Sequence, residues 1–195
     1  MKINFLEIIR VIREEDIARR YFVMNSFDGT LTALGIILAL YLAQISSSRI
    51  IIISCMGAAI AMGVSGFWGA YSAEYAERRQ KFLELERHMM KDLDGTNVER
   101  SMMLKTIVIS LVCGVSSILA SVTIIIPFVF SHSKLLDIQQ AYMISIMIVA
   151  CILAGMGIFV GSIARENILV SALKMLSAGI IVTVLSIMLE SVKVI

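Results

Sequence analysis

Five long apolar segments constrain the fold of this chain more than any other feature. Their approximate bounds are residues 24–43, 50–71, 106–130, 141–162 and 168–189. An α-helix needs ~20 apolar residues to cross the hydrocarbon core of a bilayer, and each segment is long enough. With 58% hydrophobic and only 16% charged residues, the composition excludes a soluble domain. We therefore predict an all-α, polytopic protein of the lipid bilayer with five transmembrane helices.

The distribution of basic residues predicts the orientation of these spans. Of the 17 Lys and Arg residues, five lie in the N-terminal arm and seven between spans two and three, whereas Arg49, Lys134 and Lys193 fall on the opposite side. By the positive-inside rule, the N-terminus is cytoplasmic and the C-terminus lies outside. Residues 1–20 are charged throughout, so we expect no cleavable signal peptide. The compact loops favour a prokaryotic cell membrane.

The regions outside the spans also have recognisable patterns. In residues 1–23, apolar residues at helical spacing alternate with charges, which predicts an amphipathic helix on the cytoplasmic leaflet. The alternative is a solvated arm docked on the loops. Residues 73–105 predict a short acidic cytoplasmic region, in which span two continues as a helix to about Met90 and Gly95 ends it. Thr96 or Asn97 would cap a second short helix, residues 98–105, which leads into span three. Span three is expected to end near Pro127, and residues 106–195 hold spans three to five.

A polar face on span one is the first candidate for chemistry. Asn25, Asp28, Thr32 and Gly35 follow helical spacing and share one side of the helix. A carboxylate is costly in hydrocarbon, so Asp28 should face protein or a water-filled path and is a functional-site hypothesis. The alternative is a capped helix start, with Asn25 or Ser26 as the cap and Asp28 in the first turn.

Met62 on span two could present a thioether beside small residues. It shares a stripe with Cys55, Ala59 and Gly66. A thioether and a carboxylate together suit a borderline divalent cation better than a hard one. The alternative role for Met62 is core packing, and we expect the three cysteines to be apolar fillers without disulfides.

The acidic extension of span two has the spacing of a helix-borne metal site. The residues that follow steps of three or four are Glu74, Glu77, Lys81, Glu84, His88 and Asp92. Carboxylates and an imidazole four residues apart, as in Glu84, His88 and Asp92, can share one divalent ion. The alternative is a solvated face in which Glu77 pairs with Lys81 and Glu84 with His88.

Several short motifs, taken in order along the chain, resemble the vacuolar iron transporter family. The matching stretches are Asn-Ser-Phe-Asp-Gly-Thr-Leu at 25–31, Ala-Ile-Ala-Met-Gly-Val-Ser-Gly at 59–66, the acidic helix 74–86, Pro-Phe at 127–128 and Ser-Ala-Leu-Lys at 171–174. The likeness covers most of the chain. Two departures are evident: Ser54 stands where plant members carry a glutamate, and the cytoplasmic region is short, with Lys81 and Arg87 among its acids.

The resemblance implies a homodimer whose span-one helices line a central path, with proton-coupled export of Fe2+, or of Mn2+, Co2+ or Zn2+, from the cytoplasm. It implies that Asp28 and Met62 are the transport ligands. Because Asn25 and Thr32 share the helix face of Asp28, we expect them on the transport path as well. It also implies that Glu77 and Glu84, with His88 or Met89 and Met90 nearby, belong to a cytoplasmic helix that collects ions. With Glu74 and Asp92, which the helical spacing adds, these are the predicted metal-binding residues of the cytoplasmic region.

Two other classes of function also fit the residues. One is a non-transporting membrane scaffold or metal sensor anchored by its spans, and the other is a carrier of organic cations. The sequence contains no catalytic nucleophile paired with a general base and no phosphate-cradling loop. We therefore expect that the protein is not an enzyme and has no nucleic-acid partner.

Overall fold

The computed structural model describes residues 16–90 and 95–191, and this part of the chain is helical with short turns and no strands. The helices are α1 (Asp16–Leu42), α2 (Ser48–Met89), α3 (Asn97–His132), α4 (Ile138–Ala164) and α5 (Ile168–Ser191). All five are long and apolar enough to cross a membrane, which confirms the predicted fold class. The predicted amphipathic helix lies mostly outside the described residues, and residues 16–23 form the start of α1.

Helix α2 is much longer than a bilayer is thick. Its 42 residues correspond to about 63 Å, roughly twice the ~30 Å of a hydrocarbon core. The helix ends at Met89, close to the expected position, because Met90 takes a left-handed conformation with φ 49°. Gly95 therefore does not end the helix but adopts φ +74° within the following turn.

Helix α3 joins two predicted pieces into one. The short helix 98–105 and span three are continuous from Asn97, with Thr96 as the N-cap residue. The expectation that span three ends near Pro127 was wrong, because Pro127 lies inside α3, which continues to His132. Transmembrane helices tolerate an internal proline where neighbouring groups satisfy the freed backbone, and Pro127 is buried among its neighbours.

Small and hydroxyl residues bring the helices close to α3, the most buried helix of the bundle. Gly29 of α1 packs on the backbone of Ser117, and the Ser121 hydroxyl donates a hydrogen bond to the Gly29 carbonyl at 3.3 Å. Gly63 of α2 packs against Gly114. Such residues let helix backbones approach closely in lipid. As a result α1 and α2 both rest on α3, and each keeps an exposed face.

Candidate functional site

The polar face of span one is only partly enclosed by the bundle. Asp28 and Thr32 are exposed, Met24 is 53% exposed, and Asn25 is half-buried. Helix α1 starts at Asp16, so Asp28 lies about three turns inside it. The alternative of a helix start capped by Asn25 or Ser26 is therefore excluded.

An outward-facing carboxylate is the unusual feature of this helix. No hydrogen bond or ion pair joins Asp28 to another of the described residues. In contact with lipid this group would be strongly unfavourable, so it requires water or a further protein surface. Thr32 and the half-buried Gly35 continue the same polar, small-residue stripe towards the other end of the helix.

One turn before Asp28, three helices meet around Asn25. Its side-chain amide donates a hydrogen bond to the Tyr21 carbonyl at 2.9 Å and interacts with the Cys113 thiol of α3. A Cβ placed on Gly66 of α2 would lie 3.3 Å from Asn25 Oδ1 and 3.5 Å from Cys113 Sγ. Cys113 is thus part of this polar layer rather than only a filler. No sequence signal reveals this, because the contact joins residues far apart in the chain.

The contact between Asn25 and Gly66 fixes the relative depth of Asp28 and Met62. Helices α1 and α2 are antiparallel, since a short turn connects them. Asp28 is three residues past Asn25 along α1, or about 4.5 Å, and Met62 is four residues before Gly66 along α2, or about 6 Å in the same direction. The two predicted ligands therefore lie at nearly the same depth. Met62 itself is half-buried.

The first acid of the α2 extension, Glu74, lies inside the protein. Its side chain is 4% exposed and accepts a hydrogen bond from Arg78 Nε at 3.1 Å. It also interacts with the Tyr21 hydroxyl of α1. Glu74 is therefore separated from the solvent-exposed acids with which it shares a helical spacing.

Glu77 and Glu84 of the extension have partners on their own helix. Lys81 Nζ lies 2.7 Å from Glu77 Oε1, and this hydrogen bond lowers the pKa of Glu77. Glu84 accepts from Gln80 at 3.2 Å, and His88 Nδ1 lies 2.7 Å from the Glu84 carbonyl oxygen. An ion binding here must therefore compete with these partners.

The described part of the extension, residues 74–90, does not form a closed metal site within one chain. Met89 and Met90 are exposed, and Asp92 lies outside the described residues. Within the parts of the chain that the structure describes, no group of three or more His, Cys, Asp or Glu side chains could hold a metal ion. Metal binding by this helix stays a prediction that calls for ligands from elsewhere.

Comparison with known proteins places this architecture in a family. The VIT family model matches residues 76–190, from the extension of α2 to the end of α5. An uncharacterised protein of Methanocaldococcus jannaschii is 30% identical over 186 residues, which cover 94% of this chain and 93% of that protein. The chain therefore belongs to the VIT family, a family of membrane metal-ion transporters.

Proposed function

We propose that this protein exports a divalent transition metal, Fe2+ or Mn2+, from the cytoplasm in exchange for protons. The observation that carries the proposal is the exposed Asp28 carboxylate, at the depth of Met62, on a helix that crosses the membrane. Intramembrane carboxylates that face a cavity mark ion pathways. A carboxylate and a thioether form a ligand pair suited to these borderline cations.

A second copy of the chain would complete this site. Two subunits related by a two-fold axis present the same surface to each other. If α1 lies at that axis, two Asp28 carboxylates and two Met62 thioethers converge on one path. Exposed small residues on α2, namely Ser54, Ala61 and Ser65, would permit close approach of the helices. Such a homodimer would enclose a polar stripe that a monomer would expose to lipid.

The positions of the acidic groups along the molecule would set the route of the ion. The exposed Glu77 and Glu84 raise the local concentration of cations at the end of α2. The ion passes to Asp28 and Met62, and protonation of Asp28 from the outside releases it, because a protonated carboxylate is a poor metal ligand. This coupling needs one titrating group per subunit, and the transport rate should fall as the external pH rises.

Metal flux into proteoliposomes tests the proposal. Asp28→Asn preserves the shape of the side chain and removes its charge, so we expect uptake of Fe2+ or Mn2+ to fall by about tenfold or more, the loss expected for one charged ligand contact. Asp137→Asn is the matched control, since Asp137 is an exposed N-cap residue of α4 and asparagine caps equally well. Unchanged flux in Asp28→Asn would refute the proposal.

The same assay separates the other classes of function. A wild-type protein that carries no metal would favour a membrane scaffold or sensor. Flux of an organic cation that Fe2+, Mn2+ and Co2+ fail to inhibit would favour an organic-cation carrier.

A further inference from the structure

A cavity of about 450 Å³ lies between α2 and α3, away from the Asp28 stripe. Its charged lining residues are Arg78 and Lys81 of α2 and Lys105 of α3, and none of the acidic side chains in residues 16–90 and 95–191 lines it. Glu74 and Glu77 offset part of this charge, because Glu74 is bound to Arg78 and Glu77 to Lys81. Neither carboxylate reaches the cavity wall. The charged groups that the described residues present to an occupant of the cavity are therefore basic.

Neutral donors and an apolar base complete the lining. Ser101 and Asn97 lie about one and two turns before Lys105, respectively, on the same side of α3. The base is formed by Phe82 and Met102, which are 4% and 9% exposed and pack together.

The position of the cavity matches the level of lipid headgroups. Lys105 immediately precedes the third apolar segment, and Arg78 lies seven residues past the second, or about 10 Å along the helix. The exposed Trp68 and Tyr75 mark the same end of α2, as aromatic residues do at membrane interfaces. This end of the bundle also carries most of the basic residues and is predicted to be cytoplasmic.

We propose that this cavity binds the phosphate of an acidic phospholipid, with Arg78, Lys81 and Lys105 as the phosphate ligands. Basic pockets between transmembrane helices on the cytoplasmic side suit such headgroups. Asn97 and Ser101 would hydrogen-bond the polar part of the headgroup. Either a lipid or a soluble ion could supply the phosphate monoanion or dianion. Because the cavity lies at the membrane interface, we assign the phosphate to a lipid.

Native mass spectrometry of the purified full chain tests this proposal. We titrate the protein with phosphatidylglycerol and with phosphatidylcholine, and we expect the acidic lipid to bind about tenfold more tightly. The variant Lys81→Gln/Lys105→Gln should lose this preference. Arg78 is left in place because it also binds the buried Glu74. The variant Lys81→Arg/Lys105→Arg should keep the preference, which distinguishes loss of the charge from misfolding.

Lys174→Gln is the matched control for general electrostatic attraction. Lys174 is exposed at the same end of the bundle, where it pairs with Glu166 at 3.4 Å. Equal loss of preference in this control, or an unchanged preference in Lys81→Gln/Lys105→Gln, would overturn the proposal. Binding of inorganic phosphate as tightly as phosphatidylglycerol would assign the cavity to a soluble anion and overturn the lipid assignment.

Discussion

At the scale of single residues, two carboxylates show how surroundings assign a role. Glu74 is buried, bound to Arg78 and close to Tyr21, so its charge is compensated within the chain. Asp28 is exposed, and none of the described residues pairs with it. A buried and paired charge serves structure, whereas an uncompensated charge in a membrane helix needs water, an ion or another subunit.

A single methyl group at the contact of α1 with α3 should destabilise the bundle. In Gly29→Ala the new Cβ would lie 2.6 Å from the Ser117 carbonyl oxygen, a contact that only backbone movement can relieve. We expect a loss of about 1–3 kcal/mol in the free energy of unfolding, as in other overpacked cores. Thermal unfolding in detergent measures it.

Gly155→Ala is the control for this substitution, because Gly155 is a helical glycine with nothing within 4 Å of a new Cβ. Alanine there should leave stability unchanged or raise it by up to about 1 kcal/mol through helix propensity. Equal destabilisation by both substitutions would contradict the close packing of α1 on α3.

At the scale of elements, α2 combines a membrane span with an extension of different chemistry. Its first half exposes apolar and small residues, whereas the part after Tyr71 carries acids and bases in i, i+4 pairs. The Glu74–Arg78 pair is enclosed, with side chains 4% and 16% exposed, while the side chains of Glu77 and Lys81 are 58% and 67% exposed. The two pairs share a spacing and differ in surroundings.

The two pairs should therefore differ in their effect on stability. Arg78→Met leaves Glu74 buried without its cation, and we expect a loss of about 3 kcal/mol in the free energy of unfolding. Lys81→Gln should cause no measurable loss, because exposed ion pairs contribute little. Unfolding in detergent without added lipid measures both variants.

A double variant checks the cause of the loss. Glu74→Gln combined with Arg78→Met removes the buried charge together with its partner, so most of the stability should return. If Arg78→Met alone proved as mild as Lys81→Gln, burial of Glu74 would not be the deciding factor.

At the scale of the whole molecule, we propose that the exposed stripe on α1 contacts a second subunit. Met24, Asp28 and Thr32 share an outward face at the spacing of one helix turn. Lipid would solvate this face poorly, whereas an identical stripe across a two-fold axis would enclose it. The proposed transport path is therefore a property of the assembly rather than of one chain.

Cysteine cross-linking tests this arrangement in membranes. In a Cys151→Ala background, which removes the exposed native thiol, Thr32→Cys should form a disulfide-linked dimer on oxidation. Residues close to a two-fold axis can reach the Cα separation of about 4.4–6.8 Å that a disulfide requires. Leu185→Cys, at a position of α5 that is 59% exposed, should remain monomeric. Equal cross-linking at both positions, or none at Thr32→Cys, would contradict an α1 interface.

Local patterns in the sequence were sufficient for the architecture. Hydrophobic length is a property of consecutive residues, so five spans and the extension of α2 to about Met90 could be predicted without knowledge of any contact. Periodicity also placed Asn25, Asp28 and Thr32 on one face, because helix geometry fixes the angle between residues of the same helix.

Only the tertiary structure decided which of these faces is covered. Burial of Glu74, the position of Cys113 beside Asn25, and the continuation of α3 past Pro127 all depend on neighbouring helices that are distant in the chain. The same holds for the outward direction of Asp28. Helical periodicity fixes the positions of side chains around the axis of their own helix. Packing against α3 sets the rotation of each helix about that axis. This rotation determines which polar groups are enclosed and which remain for an ion or a second subunit.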